Sequence, residues 1–225
     1  MKDLHWKGLI GILRTFVILV VAIFVPPWTL RFWQGWACLA AFFVPACAIT
    51  LYVAEHDPVL LERRLQAGPK AEKEKGQKVV QAVAAIVFVA DFVIPGLDHR
   101  FGWSSVSSYA SVAGDLMMVL GFVIVFRVFV ANTFTSGIIE VATDQRVVSK
   151  GPYALVRHPM YSGALILLFG IPLALGSWWG TLVNLPMTAA IVWRLLDEER
   201  FLVINLPGYT EYLASVKSRL IPFVW

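Results

Sequence analysis

Gly151-Pro152-Tyr153-Ala154-Leu155-Val156-Arg157-His158-Pro159-Met160-Tyr161-Ser162-Gly163 is a polar, proline-punctuated stretch between two apolar regions. It gathers a guanidinium, an imidazole and two phenols within about two helical turns, where Tyr161 begins a run apolar enough to enter a bilayer. Chemistry is expected here. The same residues also suit a plainer role, with Arg157 and His158 anchored at lipid headgroups and Tyr153 and Tyr161 in an interfacial aromatic belt. Either way the chain is a membrane protein: 58% of its 225 residues are hydrophobic, against roughly 45–50% in soluble domains.

On the N-terminal side, four apolar runs predict membrane spans. The first, residues 8–25, carries Arg14 and stops at Pro26-Pro27-Trp28 rather than at a small-residue cleavage site, so it is read as a retained span. The second, residues 33–54, contains Pro45 as a predicted kink. A polar loop follows over residues 55–78, including the run Lys70-Ala71-Glu72-Lys73-Glu74-Lys75, with a short interfacial helix predicted at 58–66. The third span, residues 79–94, holds Asp91 near its far end and stops at Pro95-Gly96, before an interfacial turn at 98–103. The fourth, residues 109–130, holds Asp115 and Arg127, about 18 Å apart on a helix and expected near the membrane faces.

On the C-terminal side, the start of the quoted stretch is reached through residues 132–150. There Ile138, Ile139, Val141, Val147 and Val148 flank Thr143-Asp144-Gln145 and predict a small β-hairpin. After it, apolar runs 161–175 and 178–195, joined by Gly176-Ser177, predict a helical hairpin, tilted or not fully crossing. The tail beyond Arg194 predicts an amphipathic helix lying along the membrane. The expected fold is an all-α integral membrane protein of about six hydrophobic helices. Residues 1–131 form its N-terminal transmembrane part, and residues 132–225 a catalytic region of connector, hairpin and tail.

The net charge of +4 follows the loops. Fifteen Lys and Arg fall at the N-terminus, in the 55–78 loop, at 132–157 and in the tail, and only Arg31 and Arg100 on the opposite side. This bias predicts that both termini and the polar stretch face the cytoplasm, and it argues for topology rather than nucleic-acid binding. Cys38 and Cys47 lie in one apolar run and offer neither a disulfide framework nor metal-ligand spacing. Glu55, His56 and Asp57 are sequence neighbours and cannot all face one ion on a helix, so no metal is expected. Arg194 and Glu198, four apart, share a helix face, with Glu199 about 100° around. Alone they are an ordinary surface pair, but a hairpin returns them beside Arg157 and His158, where the two clusters enclose a pocket open to cytosol and lipid.

Gly151-Pro152-Tyr153, Arg157-His158-Pro159, Tyr161 and Gly163, with Glu198-Glu199-Arg200, Gly208-Tyr209, Tyr212 and Ile221-Pro222, resemble the isoprenylcysteine carboxyl methyltransferase family, part of a wider group with the phospholipid N-methyltransferases. The resemblance runs over residues 134–222. It implies a membrane enzyme using S-adenosylmethionine, with Tyr153, Arg157, His158, Pro159, Met160 and Tyr161 lining the cofactor site and Gln145, Arg146, Val147 and Val148 adding contacts. It also implies Arg194, Glu198 and Glu199 as catalytic groups at a lipophilic acceptor, most closely a prenylcysteine-type carboxylate. Leu206-Pro207-Gly208 stands one residue beyond the family spacing, which leaves the choice between Glu198 and Glu199 open. Phospholipid and small-thiol acceptors also remain open, as do an NADPH-dependent sterol or enone reductase and a non-catalytic membrane protein. A reductase needs several cations for the adenosine phosphate, and between Asn132 and Tyr161 only Arg146, Lys150 and Arg157 are available.

Overall fold

A computed structural model describes residues 2–66, 68, 71–72, 75–142 and 144–225. Lys70, Lys73 and Glu74 of the predicted loop, and Thr143 of the predicted turn, lie outside the described residues. The chain forms α1 (Lys2–Phe24), α2 (Trp33–His56), the short α3 (Pro58–Leu65), α4 (Lys75–Phe101), α5 (Ser108–Ala131), a 3₁₀ turn at Gly151–Ala154, α6 (Pro159–Ala174), α7 (Trp178–Asn205) and the short α8 (Tyr209–Ser215). The six long helices alternate in direction. Arg64 reaches Ser136 and Met160, and Gln77 reaches Asp197, so α3, the start of α4, the end of α5, the start of α6 and the polar end of α7 meet at one end.

Four helices, α1, α2, α4 and α5, are long and apolar enough to cross a membrane, and they fall where the four N-terminal spans were expected. The 16 residues of α6 reach only about 24 Å, short of a hydrocarbon core of about 30 Å. In α7 the apolar character ends at Arg194. Among the described residues there is no strand, which corrects the predicted β-hairpin at 132–150. An isolated strand pair has no second layer on which to bury a face. Val141 and Val147 instead pack on Leu202, Leu206, Tyr209 and Tyr212 as a small separate core.

Glycines decide the closest helix contact. A Cβ on Gly114 would lie 2.7 Å from the Gly170 carbonyl oxygen, and one on Gly121 would lie 2.6 Å from that of Gly163. The backbones of α5 and α6 therefore touch over two turns, the small-residue packing that holds helices together where lipid removes the hydrophobic drive. This seam seats the start of α6 beside the end of α5.

Proline and glycine mislead at the far end. Pro95-Gly96, the predicted stop, lies inside α4, which continues through the predicted turn to Phe101. A Cβ on Gly180 would lie 2.8 Å from Pro95 and 2.6 Å from Pro172, and one on Gly96 would lie 2.9 Å from Pro27. These residues are packing surface, and neighbouring helices tolerate the interrupted ladder. Asp91 is consequently deep in the bundle rather than near a helix end. It is fully buried and accepts a hydrogen bond from Asn184 Nδ2 at 3.1 Å.

The polar loop and the tail also depart from expectation. Glu72 is buried rather than solvated. The predicted surface helix of the tail is the seven-residue α8, with Tyr209 and Tyr212 buried. The chain then turns back across the start of α6, where Arg157 N donates to Ser218 O at 2.9 Å, His158 N to Arg219 O at 3.0 Å and Ser162 Oγ to Leu220 O at 2.7 Å.

Candidate active site

At the end where these elements meet, a cavity of about 860 Å³, counting its open mouth, lies between the connector, the start of α6 and the last turns of α7. Every residue expected at the cofactor lines it: Gln145, Arg146, Val147, Val148, Tyr153, Arg157, His158, Pro159, Met160 and Tyr161. Arg194 and Glu198 line it too. Glu199, expected with them at the acceptor, does not face the void. Helix geometry separates the two carboxylates: Arg194, Glu198 and Leu202 share a cavity-facing stripe at i, i+4, i+8, and Glu199 lies about 100° away.

Two charge networks result. On the cavity side, Tyr161 donates to Glu198 Oε2 at 2.6 Å and accepts from Arg194 Nε at 3.1 Å. Arg194 also donates to Glu72 at 2.6 Å and to Gln77 Oε1 and Gly137 O, both at 3.0 Å, so all three of its nitrogens are engaged. Glu198 Oε1 has no hydrogen-bond partner among the described residues. On the protein side, Glu199 meets Arg157 Nη1 at 3.1 Å, His158 Nε2 at 3.2 Å and Arg219 Nε at 3.0 Å. Burial pushes the Glu199 pKa upward, but the hydrogen bonds from His158 and Arg219 and the nearby positive charges outweigh it and hold the group below its ordinary value. Glu199 thus ties the start of α6 and the tail to α7.

The remaining wall is aromatic and apolar. Tyr153 accepts from Asn132 Nδ2 at 3.0 Å, and its carbonyl accepts from Tyr212 OH at 2.7 Å. Burial pushes its phenol up to about 12, so it is neutral at physiological pH. Asn132, Ser136, Glu140, Leu202, Leu206 and Tyr209 also line the cavity without having been predicted as site residues. Leu202 continues the stripe of Glu198 within α7, a periodicity legible in the sequence, whereas Leu206 and Tyr209 reach the wall from beyond the end of that helix. Glu72, which holds Arg194, gave no such signal, because a carboxylate in a run of charges looks solvated.

The lining fits S-adenosylmethionine. Glu198 and Glu140 can face an ammonium or sulfonium, and Ile138, Val147, Val148 and Leu206 offer an apolar slot for a heterocycle.

Residues 109–206, from the first turn of α5 to the residue after α7, match the phospholipid methyltransferase family. The matched segment carries most of the cavity lining. No match to a curated protein was found for the chain.

Proposed function

We propose that this chain is an integral membrane S-adenosylmethionine-dependent methyltransferase acting on a lipid-like acceptor, with residues 132–225 as its catalytic region and the cavity facing the cytoplasm. The observation carrying this reading is the convergence of Tyr153, His158, Met160, Tyr161, Arg194 and Glu198 on one void at the bilayer-edge end of the helices. When bound, the cofactor supplies a methyl group already activated by its positive sulfur. The protein's task is then alignment and exclusion of water.

Each residue has a share in that task. The tyrosines with Val147 and Val148 would close the site to water. Glu198 Oε1 is free to take a proton from an incoming nucleophile or to hold its cationic form, while Tyr161 fixes Oε2. Arg194 sets the position of Tyr161. His158 acts through Glu199 as a positioning residue.

Acceptor chemistry follows from which groups are free. A neutral amine on a lipid headgroup uses Glu198 as it stands. A prenylcysteine-type carboxylate, the second reading, is favoured by the family resemblance of the 151–163 motif but requires Arg194 to release Glu72 or Gln77. The NADPH reductase reading is weakened by the lining: of its arginines, Arg157 and Arg194 are bound to carboxylates, leaving Arg146 alone for a phosphate. Incubating membranes with labelled methyl donor, then separating lipid, base-labile ester and volatile label, tests the proposal. Stable label in the lipid fraction supports the amine reading and base-labile label the carboxylate reading. Absence of label from every fraction would refute methyl transfer.

A further inference from the structure

We infer that Arg63 and Arg64 form a binding site for the phosphate group of a membrane-borne acceptor, at the rim of the cavity. This deepens the methyl-transfer reading by naming what the acceptor carries besides its nucleophile. The two arginines lie outside the segment matched to the methyltransferase family.

The site starts from α3. Asp57 caps this helix by accepting from Leu60 N at 3.0 Å, Pro58 opens it, and Leu60 and Leu61 bury against Val53 and Ala54. α3 therefore sits directly at the end of α2, a helix long and apolar enough to span, with Val59 and Leu65 exposed and apolar, as suits a helix at headgroup depth. Arginines that merely anchor a helix extend into the headgroups. These two turn back onto the connector that follows α5. Arg63 Nη1 donates to Thr133 O at 2.9 Å with its guanidinium 5.4 Å from the Phe134 ring centre. Arg64 Nη1 donates to Ser136 O at 2.8 Å and contacts Met160 Sδ, 5.4 Å from the Phe129 ring centre. Ser136 and Met160 are cavity wall.

Neither arginine has a carboxylate within salt-bridge distance among the described residues, whereas Arg157, Arg194 and Arg219 at the same end each have one. Both bond carbonyl oxygens through Nη1, which leaves the Nε–Nη2 edge of each fork without a hydrogen bond among the described residues. That edge grips a phosphate bidentately. Burial pulls the Arg64 pKa below its ordinary value, a cost that a bound anion would offset. The two carbonyls that hold the forks are three residues apart on one connector, and the one that holds Arg64 belongs to Ser136, which shares the cavity wall with Met160.

The test is binding rather than turnover, using the purified full-length chain in nonionic detergent. Tryptophan fluorescence would be titrated with dioctanoyl phosphatidylethanolamine, with dioctanoylglycerol, which has the same chains and no phosphate, and with inorganic phosphate. Wild type should bind the phosphate-bearing lipid at least about tenfold more tightly than dioctanoylglycerol. The Arg63→Gln/Arg64→Gln variant should lose that preference while its affinity for S-adenosylmethionine stays within about twofold. The Arg63→Lys/Arg64→Lys variant, which keeps the charges and loses the forks, should show a partial loss and serves if the glutamine variant fails to fold. Equal binding of the two lipids by wild type, or a preference that survives both substitutions, would overturn the site. Inorganic phosphate binding as tightly as the lipid would reassign it to a free anion. If wild type fails to bind S-adenosylmethionine, the methyltransferase reading falls, and the two lipid titrations still decide this site.

Discussion

The two ends of the α6–α7 pair each bury a carboxylate, and only one end leaves a carboxylate oxygen free beside empty space. At the far end, Asp98 accepts from Ser104 N at 2.7 Å, from Ser104 Oγ and from Ser177 Oγ at 2.5 Å, which staples α4 to the turn between α6 and α7 with nothing left over. At the other end, Glu199 is used up in the same way by three basic groups, but Glu198, one residue earlier, keeps an oxygen beside a cavity. A buried charge inside a membrane bundle therefore does not by itself mark chemistry. A charge whose partners are incomplete beside a void does.

Substitutions that treat the two ends alike should have unlike results. Glu198→Gln should lower kcat/KM for methyl transfer by about a hundredfold or more while leaving the melting temperature close to wild type. Asp98→Asn should do the reverse, keeping turnover per folded molecule and lowering stability by about 1–3 kcal/mol. Labelled methyl transfer and thermal melts on both variants check the pair, and a slow, stable Asp98→Asn enzyme would erase the distinction. Glu199→Ala should be the most destabilising change at the cavity end, about 3–5 kcal/mol, because Arg157 and Arg219 lose their counter-ion; a melt matching wild type would return Glu199 to the candidate bases.

Smaller effects refine the contrast. Gly121→Val should cost about 1–3 kcal/mol by forcing α6 off α5, measured as the shift in denaturation midpoint. An unchanged midpoint would mean the seam does not seat the α6 start. The pH dependence of stability should carry the mark of Glu199. Its folded-state pKa is depressed, so its contribution is present above the ordinary glutamate range and lost as pH falls through the folded value. Melts in acid should show wild type losing this increment and Glu199→Gln, which cannot titrate, not showing it.

Much of the site was legible because it is local. Residues 151–163 bring their groups together within one turn-rich segment, and the four-residue spacing of Arg194 and Glu198 fixes a shared face whatever surrounds the helix. The choice between Glu198 and Glu199 was not legible, since it depends on where Arg157, His158 and Arg219 arrive from elsewhere in the chain. Glu72 and Arg64 were hidden for the same reason, their partners being 122 and 72 residues away. In the fold, α1, α2 and α5 could be read from apolar length. Pro95-Gly96 was misread as a stop because the local cost of proline is offset by packing against Gly180 and the Pro26-Pro27 corner, which no local pattern reveals.

Titration calorimetry of the purified chain with S-adenosylmethionine, and separately with NADPH, addresses the cavity directly. The account predicts saturable one-to-one binding of S-adenosylmethionine that Tyr153→Ala weakens, and no heat with NADPH. Binding of NADPH without binding of S-adenosylmethionine would contradict it.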